Sequence, residues 1–196
     1  MTQTIRGLPI DAGVRAEVID VVNRLNMAFD TWDLETMVEA FTEDCVVYHP
    51  RGTVRGHEEV RRFYDGYRPL TIGVRRQNLN HVVDANEDGT ITVLCYNMLV
   101  RVAPPEQAEI VRHRTLTQDV TGLPAILMHS LVTDRLRRDE AGIWRIMSRH
   151  VDQTVVNAAL HTPRRRPYRA EYYVGRQIHV AIKDDVRSSE QDACMC

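Results

Sequence analysis

At Val74 the spacing of apolar residues changes from the three-to-four step of a helix to the two-step of a strand, and it stays strand-like for most of the chain that follows. Helical patterns grouped ahead of strands do not give the alternating crossovers of a parallel sheet. They predict a helical layer packed on an antiparallel sheet, an α+β architecture. Ahead of Val74, the residues Val14, Val18, Val21, Val22, Leu25, Ala28 and Phe29 share one helical face, with Asp11 placed to cap it. Asp33 is the expected cap of a second helix carrying Leu34, Met37, Val38 and Phe41 and ending near Asp44. Cys45 to His49 reads as a short strand stopped by Pro50 and Gly52, with Cys45, Val47 and His49 on one side. Gly56 opens a third helix with Val60, Phe63, Tyr64 and Tyr67 at helical spacing.

Past Val74, alternation puts Gln77, Leu79, His81 and Val83 on one face of a strand and Asn78, Asn80 and Asp84 on the other. Asn86 to Gly89 is a hairpin signal, and Ile91 to Val102 is apolar on both faces, as in a central strand. Further strands are expected over Ile110 to Thr117, Ile126 to Leu136 and Ile143 to Val151, with a helical turn or two between Thr154 and Leu160. Tyr172 to Ile182 has the composition of an edge strand.

With 196 residues, 43% of them hydrophobic, the chain supplies one ordinary core. The expected division is an arm over 1–11, one domain over 12–160 and an extension over 161–196. The formal charge of -2 gives no field for nucleic acid, and Arg164-Arg165-Arg166 reads as a solvated linker. No apolar run reaches the roughly 18 residues of a membrane span, and the start of the chain lacks the apolar stretch of a signal peptide, so a soluble cytoplasmic protein is expected. Cys45 and Cys95 sit in strand patterns and Cys194 and Cys196 in a polar tail without a basic anchor, which fits reduced thiols and no lipid attachment. The histidines lack zinc-site spacing, and no nucleotide-binding loop or nucleophile elbow is present, so neither metal nor cofactor is expected.

Asp30 closes an apolar helical face, a costly place for a carboxylate unless something pairs with it or uses it. His81 stands among apolar neighbours on its strand, and His49 shares a face with core residues. Tyr48, Tyr96, Asn97 and His129 are available to line a cavity as hydrogen-bonding groups. Asp134 has Arg135, Arg137 and Arg149 as candidate ion partners.

The order of elements, with Asp30-Thr31-Trp32-Asp33-Leu34-Glu35, Phe41 to Val47, Gly56 to Tyr64 and Gly142 to His150, resembles the SnoaL-like group of the nuclear transport factor 2-like superfamily over about residues 14 to 158. The resemblance implies a strongly bent antiparallel sheet, mixed at one edge, wrapped against three helices as a cone with an apolar pocket. It also implies a range of activities, among them polyketide cyclase, ketosteroid isomerase and dehydratase chemistry, because one fold hosts many sites. Asp30 and His81 look like the aspartate and histidine that scytalone dehydratase-like enzymes pair, the carboxylate orienting the imidazole as general base or acid. His49 matches a position where that enzyme has a tyrosine and ketosteroid isomerase its catalytic aspartate. Asp134 lies where the isomerase has a protonated acid. The chemistry so implied is a cofactor-independent lyase or isomerase acting on a hydrophobic polyketide-, terpenoid- or steroid-like compound, as a homodimer or homotrimer. The alternatives are a non-catalytic small subunit like those of ring-hydroxylating dioxygenases, or a small-molecule binder.

Overall fold

A computed structural model describes residues 10–111 and 122–160. Helix α1, Ala12–Thr31, is capped by Asp11, whose carboxylate accepts from the N–H groups of Gly13 and Val14, and it ends at Trp32 in the left-handed conformation. Helix α2, Leu34–Glu39, is capped by Asp33. Strands β1, Phe41–His49, and β2, Gly52–Arg55, follow, then helices α3, Gly56–Asp65, and α4, Arg68–Thr71. Strands β3, Val74–Ala85, and β4, Ile91–Arg101, lead through a short helical segment ending in α5, Ala108–Val111, to β5, Ala125–Arg138, and β6, Trp144–Val156.

The six strands make one sheet in the order β2-β1-β6-β5-β4-β3. Its neighbours are antiparallel except β1 and β6, which run parallel, so the mixed edge expected from the sequence is present. The helices cover one face. Val18, Val22 and Leu25 of α1, Val60 of α3 and Val93, Leu136 and Ile146 of the sheet are fully buried together, and this packing is the main source of stability.

Tertiary pairing overrides the local pattern at several points. Helix α2 stops at Glu39 rather than near Asp44, because the carbonyl of Ala40 accepts from the N–H of Ile146 and Phe41 pairs with Ile146 in the sheet. Pro50 and Gly52 make a turn rather than a stop, and Val54 pairs back on Val47. Ile110 and Val111 are helical, and the rest of the strand expected to Thr117 falls outside the described residues. Thr154 to Val156 continue β6 instead of turning helical, held by pairing with His129 and Met128. The segments 161–196 and 1–9, with the expected edge strand at Tyr172 and Cys194 and Cys196, also lie outside the described residues.

The change with the largest consequence for function is in β3. Asn80 takes a φ of 56°, and the register against β4 shifts between Leu79 and Val82. Asparagine tolerates the left-handed region better than most residues, and one extra residue reverses which side chains face in. Val74, Arg76 and Asn78 therefore face the helices before the bulge, and Val83 after it, while Leu79 is 42% exposed on the outer face. At the start of β3, Gly73 has a φ of +72° and a Cβ there would lie 2.3 Å from the carbonyl oxygen of Ala103, so only glycine fits.

Candidate active site

The concave face of the sheet, helices α1 and α3, and Tyr67 just ahead of α4 enclose a cavity whose polar lining includes His49, Tyr67, Arg76, Asn78, Asn97 and Arg149. It holds about 620 Å³ of non-protein space with its open mouth, of which about 70 Å³ admits water-sized groups. Phe29, Phe63, Leu99 and Val132 supply apolar walls.

His49 reaches the cavity from the inner face of β1. The N–H of Arg51 donates to Nδ1 at 3.0 Å, so in the neutral ring the hydrogen sits on Nε2. Nε2 lies 2.7 Å from the hydroxyl oxygen of Tyr67, to which it donates. Burial, then the charges of Arg51 and Arg149, push the imidazole down to about 4, so it is neutral at ordinary pH. The guanidinium of Arg51 stands 4.6 Å from the centroid of the Tyr67 ring. Neutral imidazole and nearby cation both favour negative charge developing on the Tyr67 oxygen.

The floor is an ion pair. Asp134, with no exposed surface, accepts from Nε and Nη2 of Arg149, each at 2.7 Å. Burial works against the Arg149 charge, but Asp134 outweighs it and the net direction is up. Asp134 is thus behind the cavity, and Arg149 is the member of the pair that lines it. Asn97 lines the cavity too, donating to Oδ1 of Asn78 at 2.9 Å, while Asn26 donates to the same oxygen at 2.7 Å.

Three residues expected in the lining are elsewhere. Tyr48 stacks on His150 at 4.2 Å, and Tyr96 packs against His129 at 5.2 Å, all on the outer face of the sheet. Strand alternation decides this: Val47 opposite Arg149 and Asn97 opposite Ser130 face in, so their neighbours Tyr48, Tyr96 and His129 face out.

The pairing of Asp30 with His81 is not formed. The Asp30 carboxylate, 5% exposed, accepts from the N–H of Arg76 at 3.1 and 3.2 Å and lies 3.5 Å from its Nη1. His81 is five residues further along β3, roughly 16 Å by strand rise. There its carbonyl accepts from Arg15 near the start of α1 and its Nε2 is buried without a hydrogen-bond partner. Burial, then the Arg15 charge, hold the His81 ring below its ordinary value. Asp30 ties the end of α1 to the start of β3. Tyr67, Arg76, Asn78 and Arg149 line the cavity, where the sequence reading did not place them. For Arg149 the signal was its place opposite Asp134 in neighbouring strands.

Acid unfolding checks the His49 environment. The folded value lies below the ordinary 6.5, so as pH falls the unfolded chain takes up the proton first and stability drops. The loss runs from about pH 6.5 to about pH 4 and amounts to up to about 3 kcal/mol. Urea unfolding at pH 7 and 4.5 is expected to show His49→Gln losing less stability than the parent chain. Equal losses would contradict the buried neutral ring.

Among the described residues no group of histidine, cysteine and acidic side chains could hold a metal, and no helix is long and apolar enough to cross a membrane. The fold recurs in a Nostoc punctiforme protein of unknown function described as having a cystatin-like fold, 21% identical, covering 78% of this chain and 97% of that one, with a TM-score of 0.57. It recurs in ActVI-ORFA of Streptomyces coelicolor, 23% identical, with 71% and 96% covered and a TM-score of 0.57. A Catenulispora acidiphila protein solved in complex with S-DNPA is 24% identical, with 72% and 94% covered and a TM-score of 0.54. No curated protein matches the chain. The SnoaL-like domain pattern matches residues 12–150, which span all six strands as far as the His150 that follows the cavity floor. With that match and the bent sheet closing a polar-floored cavity under its helices, the chain belongs to the SnoaL-like family.

Proposed function

We propose that the protein is a cofactor-independent lyase or isomerase that moves a proton on a small, flat, hydrophobic carbonyl compound, with Tyr67 as the proton carrier. The observation that carries this reading is the His49 arrangement: Nδ1 takes the Arg51 N–H, which presents Nε2–H to the Tyr67 oxygen at 2.7 Å inside the cavity. Tyr67 gives its hydroxyl proton to a carbonyl or departing hydroxyl oxygen and takes up the proton that the adjacent carbon loses. The protein ends as it began. The substrate becomes an enol, or an alkene with loss of water, and the transient phenolate is held by the His49 N–H and the Arg51 charge. No carboxylate lines the cavity among the described residues, so the proton carrier is sought in the hydroxyl rather than in an acidic pair. A Catenulispora acidiphila protein of similar fold was solved in complex with S-DNPA, which supports a ligand-binding reading.

A substrate-independent test is hydrogen–deuterium exchange next to the carbonyl of 2-tetralone, followed by proton NMR in D2O. Exchange faster than in buffer is expected. Binding without exchange would leave a carrier protein, and no binding would remove the small-molecule reading. His81→Ala is expected to exchange within about twofold of the parent, since its ring does not line the cavity, whereas a fall of about a hundredfold, the scale of a lost general base, would return His81 to the chemistry. The outer face carries the exposed Leu79, Val82, Tyr96 and Ile126, the surface on which self-association into a dimer or trimer would be built.

A further inference from the structure

Two arginines enter the cavity, and they differ in how far their own partners satisfy them. Arg149 gives two nitrogens to Asp134 at 2.7 Å each. The side chain of Arg76 is equally enclosed, 6% exposed, but its Nη1 is buried with no hydrogen-bond partner and lies 3.5 Å from Asp30 Oδ1. The Asp30 oxygens take their hydrogen bonds from the backbone N–H of Arg76 instead. Phe29 covers one face of the guanidinium, 4.3 Å from its carbon to the ring centroid, which fixes the plane of the fork without using any of its N–H groups.

A buried donor with no acceptor is destabilising, and a charged one more so. Burial pushes Arg76 down to about 10 and raises Asp30 from its ordinary value, the directions expected of a pair that only partly offsets its own desolvation. An anionic oxygen from outside would supply the missing acceptor.

We infer that Arg76 is the anion-recognition residue of the cavity, seating a carboxylate or enolate oxygen of a small, flat, unsaturated substrate. This rests on the reading that the cavity takes a small carbonyl compound, and it adds the substrate's charge. The site selects flat acids, enols and phenols over their neutral counterparts. Asn78, next but one along β3 and tied to Asn26 and Asn97, borders the same space and holds that strand's inner face in place.

The test is isothermal titration at pH 7.5 with two matched pairs, benzoate against benzamide and 4-nitrophenolate against 4-nitroanisole. In at least one pair the anion is expected to bind about tenfold to a hundredfold more tightly, the scale of a charge-assisted hydrogen bond. Preference in the first pair identifies a carboxylate, and in the second an enolate-like oxygen. Arg76→Met is expected to abolish the preference while the neutral member still binds. Because Arg76→Met leaves Asp30 without its cation, D30N/R76M removes both charges and is expected to give the same result. Equal binding of anion and neutral compound in the parent chain, or preference surviving in either variant, overturns the anion site and leaves the small-molecule reading standing. Failure of all four compounds to bind overturns both.

Discussion

Replacing Arg149 by methionine is expected to cost about 3–5 kcal/mol of stability, read as a shift of the urea midpoint at unchanged slope. Asp134 has no exposed surface and its carboxylate is held by Arg149 through two bonds of 2.7 Å. Methionine fills a similar volume but strands the carboxylate in the core. The thermal midpoint should fall by roughly 6–20 °C for a domain of this size. The opposite substitution isolates the cause. In a D134L/R149M double variant no charge is left behind, and most of the loss should return, since a buried ion pair is roughly matched by well-packed apolar residues. Arg149→Lys is expected to fall between, because it keeps the charge and loses the fork. A single variant within about 1 kcal/mol of the parent would mean that Asp134 is not closed off as the structure has it. The substitution also removes one of the three causes that hold His49 below its ordinary value, so the acid-unfolding difference at His49 should shrink with it.

The fold was legible because its signals are redundant. The apolar face of α1 from Val14 to Phe29, the hairpin at Asn86–Gly89 and the apolar run of β4 each point to the same layer arrangement, and a misplaced boundary such as the end of α2 does not disturb it. The site was less legible because it depends on parity. Counting outward from Val83 by twos puts His81, Leu79 and Gln77 inside. A left-handed Asn80 adds one residue and puts Asn78 and Arg76 inside instead. No local pattern in Leu79-Asn80-His81 announces that bulge. Asp30 was singled out for a sound reason, since a carboxylate at the end of a buried face needs a partner. Its partner proved to be the backbone and side chain of Arg76, and only the strand register could tell that Arg76 rather than His81 reached it. His49 needed no such count. The β1 alternation of Cys45, Val47 and His49 held in the structure, and His49 faces the cavity.

Tyr67→Phe is expected to slow proton exchange on the carbonyl probe by about 10²–10⁴-fold, the range for loss of a positioned proton carrier, with little change in probe affinity. Phenylalanine keeps the ring that packs 5.1 Å from Phe63 and 5.4 Å from His49, so the cavity keeps its shape and only the hydroxyl is lost. His49 acts through that hydroxyl, and its variants separate positioning from packing. His49→Gln retains an N–H donor and should keep part of the rate, whereas His49→Phe should lose nearly as much as Tyr67→Phe. The pH profile supplies a readout that packing would not move. A ring pushed down to about 4 keeps its neutral form through the mildly acidic range, so the parent rate should hold to near pH 5 and fall only as Nδ1 gains a proton and its bond from the Arg51 N–H is lost. His49→Gln has no such proton to gain, and its acid limb should vanish. An acid limb near pH 6.5 in the parent chain would place the ring in solvent. A Tyr67→Phe rate equal to the parent's would take the hydroxyl out of the chemistry and leave the cavity's arginines to act by charge alone.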